Sequence, residues 1–120
     1  MLTITSCIKD NHGNYRKSSY GKSSVYTCND GTRLVRSYTT IVAMIMPDGT
    51  IRKTWSDYSR TTSEHLSGAG VNKSKKEWEN MPLFKVPKKY MNALYDFLYD
   101  NPIKYKTSDN WMLGYNQYIM

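Results

Sequence analysis

The residues able to carry chemistry in this chain are few and scattered. Cys7, His12, Cys28 and His65 are its thiols and imidazoles. No two of them show the C-x-x-C or H-x-x-x-H spacing by which one element presents two metal ligands, so neither a metal site nor a cofactor is expected. Ser63 stands close to His65, and Cys28 is the other nucleophile that a histidine could activate. No nucleophile elbow or oxyanion loop accompanies either. Gly13 and Gly21 sit among Lys17 and Lys22 without the spacing of a phosphate-cradling loop. Asp48, Asp57 and Glu64, which a Mg²⁺-dependent hydrolysis would need side by side, lie far apart in a chain whose surplus is basic. The chain therefore reads as a binding protein and not as an enzyme. A reaction centred on His65 with Ser63 or Tyr58 is the residual catalytic reading.

The densest group of functional side chains runs from Trp55 to His65. A helix is expected to start inside it, and a helix N-terminus offers free N–H groups and partial positive charge. Tyr58, Ser59, Thr61, Thr62, Ser63 and His65 together thus suit an anion such as a phosphate. The same residues also suit plain capping. Thr61 would then be the N-cap, Glu64 would reach back to close a capping box, and Tyr58 would turn into the core.

Charge supplies the broader signal. Seventeen Lys and Arg against ten Asp and Glu give a net charge of +7 and a pI near 9.4. Such a surplus attracts polyanions or acidic protein surfaces over long range. The cations gather in two stretches. Lys9, Arg16, Lys17, Lys22, Arg33 and Arg36 alternate with Tyr15, Tyr20 and Tyr26, while Lys73, Lys75, Lys76, Lys85, Lys88 and Lys89 alternate with Trp78, Phe84 and Tyr90. Cations track phosphates and aromatic faces stack on unpaired bases. Arg16, Lys17, Tyr20, Lys22, Arg60, Lys73, Lys75, Lys76, Lys88 and Lys89 are accordingly the candidate contacts to nucleic acid or to an acidic partner. A solvated lysine face above buried rings would produce the same pattern. Eleven tyrosines favour the binding surface, since tyrosine brings contact area at low entropic cost.

These side chains need a scaffold. A chain of 120 residues predicts a single domain over 1–120. With 39% hydrophobic and 22% charged residues, the composition is globular and not disordered. No apolar run approaches the roughly 18 to 20 residues of a membrane helix. The first residues lack a basic segment followed by an apolar one, so no secretory signal is expected and the cytoplasm is the expected location. Two cysteines are too few for a disulfide framework and read as free thiols on strands.

Residues 2–8 alternate as a half-buried strand, and 9–24 read as a loop. Residues 25–28 resume strand character and stop at Asn29-Asp30-Gly31. The longest β-like stretch is 34–46, apolar on both faces, which suggests a middle strand covered by a helix. Pro47-Asp48-Gly49-Thr50 then turns the chain into a return strand from Ile51. A short helix is expected over 61–68, a flexible break at Gly68-Ala69-Gly70, and a second capping box at Ser74-Lys75-Lys76-Glu77. Pro82 and Pro87 bracket an extended piece. The strongest helix is 87–100, with Tyr90, Met91, Leu94, Tyr95, Phe97 and Leu98 on one stripe. The aromatic tail 103–120 is expected to pack back. The predicted fold class is α+β: an antiparallel sheet of four or five strands covered on one face by the 87–100 helix, with the 61–68 helix at the sheet's edge.

Two stretches carry a resemblance. Ser37-Tyr38-x-Thr40-x-Val42-Ala43, then a turn and Tyr58-Ser59-x-Thr61-Thr62-Ser63-x-His65, resembles a small domain of unknown function common in bacteriophage and prophage proteins. That group has glycine after the first Ser-Tyr and arginine before the histidine, where this chain has Thr39 and Glu64. Glu64 would repel an anion at this place. The resemblance implies phage or mobile-element origin and an accessory role, with no known reaction attached. Together the readings predict a phage-encoded binding protein of the host cytoplasm, meeting nucleic acid or a nucleic-acid-handling host or defence complex. An anti-defence inhibitor of the anti-CRISPR type falls within that expectation. A virion structural or assembly protein is the alternative.

Overall fold

The computed structural model describes residues 1–9, 23–38 and 40–100, the side chains of 8, 9, 61 and 100 excepted. The candidate contacts Arg16, Lys17, Tyr20 and Lys22 lie outside the described residues, as do the aromatic tail and most of the predicted 9–24 loop. Five strands, β1 (Ile4–Lys9), β2 (Ser23–Cys28), β3 (Arg33–Ser37), β4 (Thr40–Ile45) and β5 (Ile51–Lys53), precede three helices, α1 (Arg60–Gly68), α2 (Lys75–Asn80) and α3 (Lys88–Asp100). The strands form one antiparallel sheet in chain order β1-β2-β3-β4-β5. The α+β class expected from the sequence is the one observed.

The stretch read as one long strand is two. β3 and β4 are joined by a tight turn in which Tyr38 takes a left-handed backbone, φ 55°. A tyrosine there costs about 1 to 2 kcal/mol relative to a right-handed conformation, and neither glycine nor asparagine announces the turn. The cost is met by Arg36, whose guanidinium donates to the Tyr38 carbonyl while held by Tyr26 and Ser24 of β2. A register shift between Val35 and Arg36 leaves Val42 as an extra residue on β4, which bends the hairpin locally. The next turn follows the expected chemistry. Gly49 has φ +90°, its N–H donates to the Met46 carbonyl, and the Met46 N–H donates to the Thr50 carbonyl.

Both faces of the sheet are covered. On one face α3 packs Tyr90, Met91, Leu94 and Leu98 onto Tyr26, Cys28, Leu34 and Met44. On the other, Leu66 of α1, its C-cap Ala69, Val71 of the connection and Trp78 of α2 belong to one core with Val25, Val35, Ala43 and Ile45. The α1 helix is therefore a second layer and not an edge element as expected. The reason lies in the strands: alternate residues point to opposite faces, β4 is apolar at both sets of positions, and β3 adds Leu34 to one face and Val35 to the other. An apolar second face requires its own cover. Thr62, His65, Leu66 and Ala69 form the buried stripe of α1, at the spacing of one helical face.

That stripe also decides where α1 begins. Its N-cap is Ser59, whose hydroxyl accepts from the Thr62 N–H at 3.1 Å, and not Thr61. Starting at Ser59 adds the half-turn that brings Thr62 onto the buried face. Glu64, freed from a capping box, pairs with Arg60 one turn earlier at 3.5 Å. The helix stops in an ordered Schellman motif: Gly70 N–H donates to Ser67 and Val71 N–H to Leu66, with Gly70 at φ +87° and the buried Val71 and Leu66 together in one core. The expected flexible break at Gly68-Ala69-Gly70 is thus a fixed cap. The second capping box is present, with Glu77 N–H donating to Ser74 Oγ and Ser74 N–H donating to Glu77 Oε1.

Candidate nucleic-acid interface

Trp78 belongs to the core under one face of the sheet, and Val86 and Tyr90 to the core under the other. The chain between them must therefore cross the outer edge at β5. It does so as a short extended segment: Leu83 bridges Lys53 in parallel, and the Phe84 N–H donates to the Lys53 carbonyl at 2.8 Å. Val86 is fully buried and anchors the segment, while Leu83, Phe84 and Lys85 stay outside. Leu83 is 59% exposed and Phe84 40%.

Alternation along β5 sorts its two cations. Lys53 is buried; its Nζ donates to the Trp78 carbonyl at 2.9 Å and lies 5.9 Å from the Trp78 ring centroid. Arg52, the next position back, faces the other way, with its guanidinium carbon 5.1 Å from the centroid of the Phe84 ring. Lys88 and Lys89 follow, both exposed in the first turn of α3. No acidic residue occurs between Met81 and Tyr90. Two cations in the first turn oppose the helix dipole, a cost of the order of 0.3–1 kcal/mol each, so helix stability does not explain them. The result is a basic strip along residues 83–89: Arg52 lies over the exposed Phe84 ring with Asp48 near it, and Lys89 lies 5.3 Å from the Tyr90 ring centroid with Asp30 near it.

Other nominated residues distribute differently. Lys75 and Lys76 are exposed in the first turn of α2, Lys73 is half-buried, and Arg60 has a side chain 82% exposed but shared with Glu64. Several residues of the two alternating stretches leave the surface altogether. Trp78 and Tyr26 are fully buried and Tyr90 nearly so. Arg36, read as part of a surface cluster, is 1% exposed. Of the rings interleaved with the second basic stretch, Phe84 alone remains outside. The sequence does not single out Arg52, which is half-buried, or Leu83, which is exposed; their placement follows from pairing at β5, which no local pattern reveals.

The residues of the proposed anion site are engaged with one another. Ser59 Oγ donates to Thr62 Oγ1 at 3.0 Å, Ser63 Oγ donates to the Tyr58 hydroxyl at 3.1 Å, and the Tyr58 hydroxyl donates to the Lys73 carbonyl. The Thr61 side chain lies outside what is described. His65 is not part of this group. It is buried, its Nδ1 hydrogen-bonded to Ser37 Oγ at 2.6 Å, with the Tyr38 ring centroid 5.8 Å from its own. The serine beside His65 is thus Ser37 of β3 and not Ser63, and it too is buried. This pair lies beneath the surface, where it ties α1 to the sheet.

Among the described residues no group of three or more His, Cys, Asp and Glu is arranged to hold a metal ion. Cys7 and Cys28 are free thiols on neighbouring strands, but Cys28 pairs with Ile4 and Cys7 with Tyr26. Burial, and secondarily the Asp30 carboxylate, push the Cys28 thiol up to about 12, so it stays protonated and inert. No helix among the described residues is long and apolar enough to cross a membrane.

Comparison with known proteins adds one finding. No curated protein and no solved structure matches the chain. A family model matches residues 8–81, a span that holds most of the sheet, α1 and α2 and ends just before the basic strip. Since that span is more than half of the 120 residues, the chain belongs to the matched family, a family of unknown function (DUF8033).

Proposed function

We propose that this protein binds nucleic acid, holding the phosphate backbone along the basic strip at the β5 edge. The observation that carries this reading is the run of exposed cations Lys85, Lys88 and Lys89 beside the exposed Phe84 in a sequence stretch without a carboxylate, with Arg52 over the Phe84 ring. The nearest carboxylates come from elsewhere in the fold, Asp48 near Arg52 and Asp30 near Lys89. A net charge of +7 adds long-range attraction for a polyanion, and the local cations supply the phosphate contacts. The likeness to small phage and prophage domains extends the reading to a phage-encoded accessory protein of the host cytoplasm. There it would occupy nucleic acid within a nucleic-acid-handling complex, an anti-CRISPR-type inhibitor being one such role.

The test is fluorescence anisotropy of labelled DNA and RNA across a salt series. Four phosphate contacts predict that log K falls with log salt at a slope of about −3 to −4. Charge reversal at Lys85, Lys88 and Lys89 together abolishes binding. Absence of binding at low salt to single- and double-stranded DNA and RNA overturns the proposal.

A further inference from the structure

We infer that the strip selects single-stranded nucleic acid, with one unpaired base stacked on the Phe84 ring. This rests on the nucleic-acid reading above and narrows its substrate class. Phosphate contacts alone need only the lysines; an exposed ring among them adds a surface on which a base can stack. Phe84 lies 40% exposed beside Val86, which is fully buried, so the segment has an apolar anchor already and does not use this phenyl for one.

The ring is also held in place. Its backbone N–H is bonded to the Lys53 carbonyl at 2.8 Å, and Pro82 and Pro87 restrict the chain on either side. Arg52 lies over one face of the ring at 5.1 Å, a cation–π arrangement that fixes the phenyl, so a base would take the opposite face. A pre-positioned ring with Arg52 against it in space and Lys85 next to it in sequence can take the face of a base and its flanking phosphates together. A duplex hides its base faces in the stack and would meet the lysines without using the ring.

The full chain is titrated against a fluorescein-labelled oligothymidylate and against a hairpin duplex, using wild type, Phe84→Ala, Phe84→Trp and Lys85→Gln. The expected result is tighter binding of the single strand, weakened roughly tenfold or more by Phe84→Ala and retained by Phe84→Trp. The salt slope is unchanged by Phe84→Ala and falls by about 0.7 with Lys85→Gln. A fluorescent base analogue in the strand is quenched by wild type and not by Phe84→Ala. Phe84 is partly exposed, and thermal melting followed by circular dichroism verifies that each variant is folded. Equal binding of strand and duplex, indifferent to Phe84→Ala, overturns this inference while the nucleic-acid reading stands. Binding of a polyglutamate-containing peptide in place of either nucleic acid overturns both.

Discussion

Arg36 is the buried charge on which the β3–β4 hairpin depends, and its removal should be among the most damaging single changes in the protein. The side chain is 1% exposed. Its Nε donates to the Tyr26 hydroxyl at 2.9 Å, one terminal nitrogen donates to Ser24 Oγ at 2.8 Å, and the other donates to the Tyr38 carbonyl. Among the described residues no carboxylate pairs with it. Hydrogen bonds to a charged group contribute about 1.5–3 kcal/mol each, and burying the guanidinium offsets several kcal/mol of that sum. Truncation recovers the desolvation cost but leaves the buried hydroxyls of Tyr26 and Ser24 only each other as partners. It also releases the carbonyl of the residue held at φ 55°. The net loss for Arg36→Ala is expected at about 2–4 kcal/mol, since each buried polar group left short of a partner costs about 1–3 kcal/mol.

Urea denaturation followed by circular dichroism measures the loss. Arg36→Lys should rescue little, because one ammonium cannot span three acceptors set in a planar fork. A double-mutant cycle with Tyr26→Phe should give a coupling of at least about 1 kcal/mol. Combining Arg36→Met with Tyr26→Phe and Ser24→Ala should recover part of the stability, since fewer polar groups are then left unpaired. A loss below about 1 kcal/mol for Arg36→Ala, under the cost of one buried polar group left short of a partner, would refute this account of the turn.

Two further outcomes test the local structure. Ser59→Ala should destabilise by about 1 kcal/mol, the usual cost of losing an N-cap, whereas Thr61→Ala should leave the urea midpoint nearly unchanged; the reverse order would place the helix start at Thr61. Burial works against the Asp30 carboxylate, yet hydrogen bonds from the Tyr90 hydroxyl and from the Thr32 amide and hydroxyl, with Lys89 nearby, hold it below its usual range. A depressed acid contributes stability that is present above its unfolded pKa of about 3.9 and is lost as pH falls through the lower folded value. The urea midpoint should therefore drop on acidification below about pH 4, and Asp30→Asn should flatten that part of the profile.

Local signals were sufficient for much of the framework. Ser74 and Glu77 close their capping box through contacts three residues apart, and α3 carries its buried stripe at helical spacing, so both were legible without tertiary information. The turn at Pro47–Gly49 was legible for the same reason: proline and glycine impose backbone angles by themselves. The break at Tyr38 was not, because nothing in a tyrosine favours a left-handed conformation; Arg36 and the sheet impose it from outside. Thr61 and Ser59 are equally competent caps, and the choice fell to whichever start placed Thr62, His65 and Leu66 against β3 and β4.

The candidate site was legible in charge and illegible in arrangement. Net charge and the lysines at 85, 88 and 89 are properties of composition and order. Which rings sink and which stay outside is decided by strand pairing, since burial of Tyr26 or Trp78 depends on what lies across the sheet. The Ser37–His65 bond joins residues 28 apart in sequence, and Arg52 meets Phe84 only because the 83–86 segment lies along β5. Short-range chemistry thus chose the elements of this protein, and long-range packing against both sheet faces chose the surface it presents.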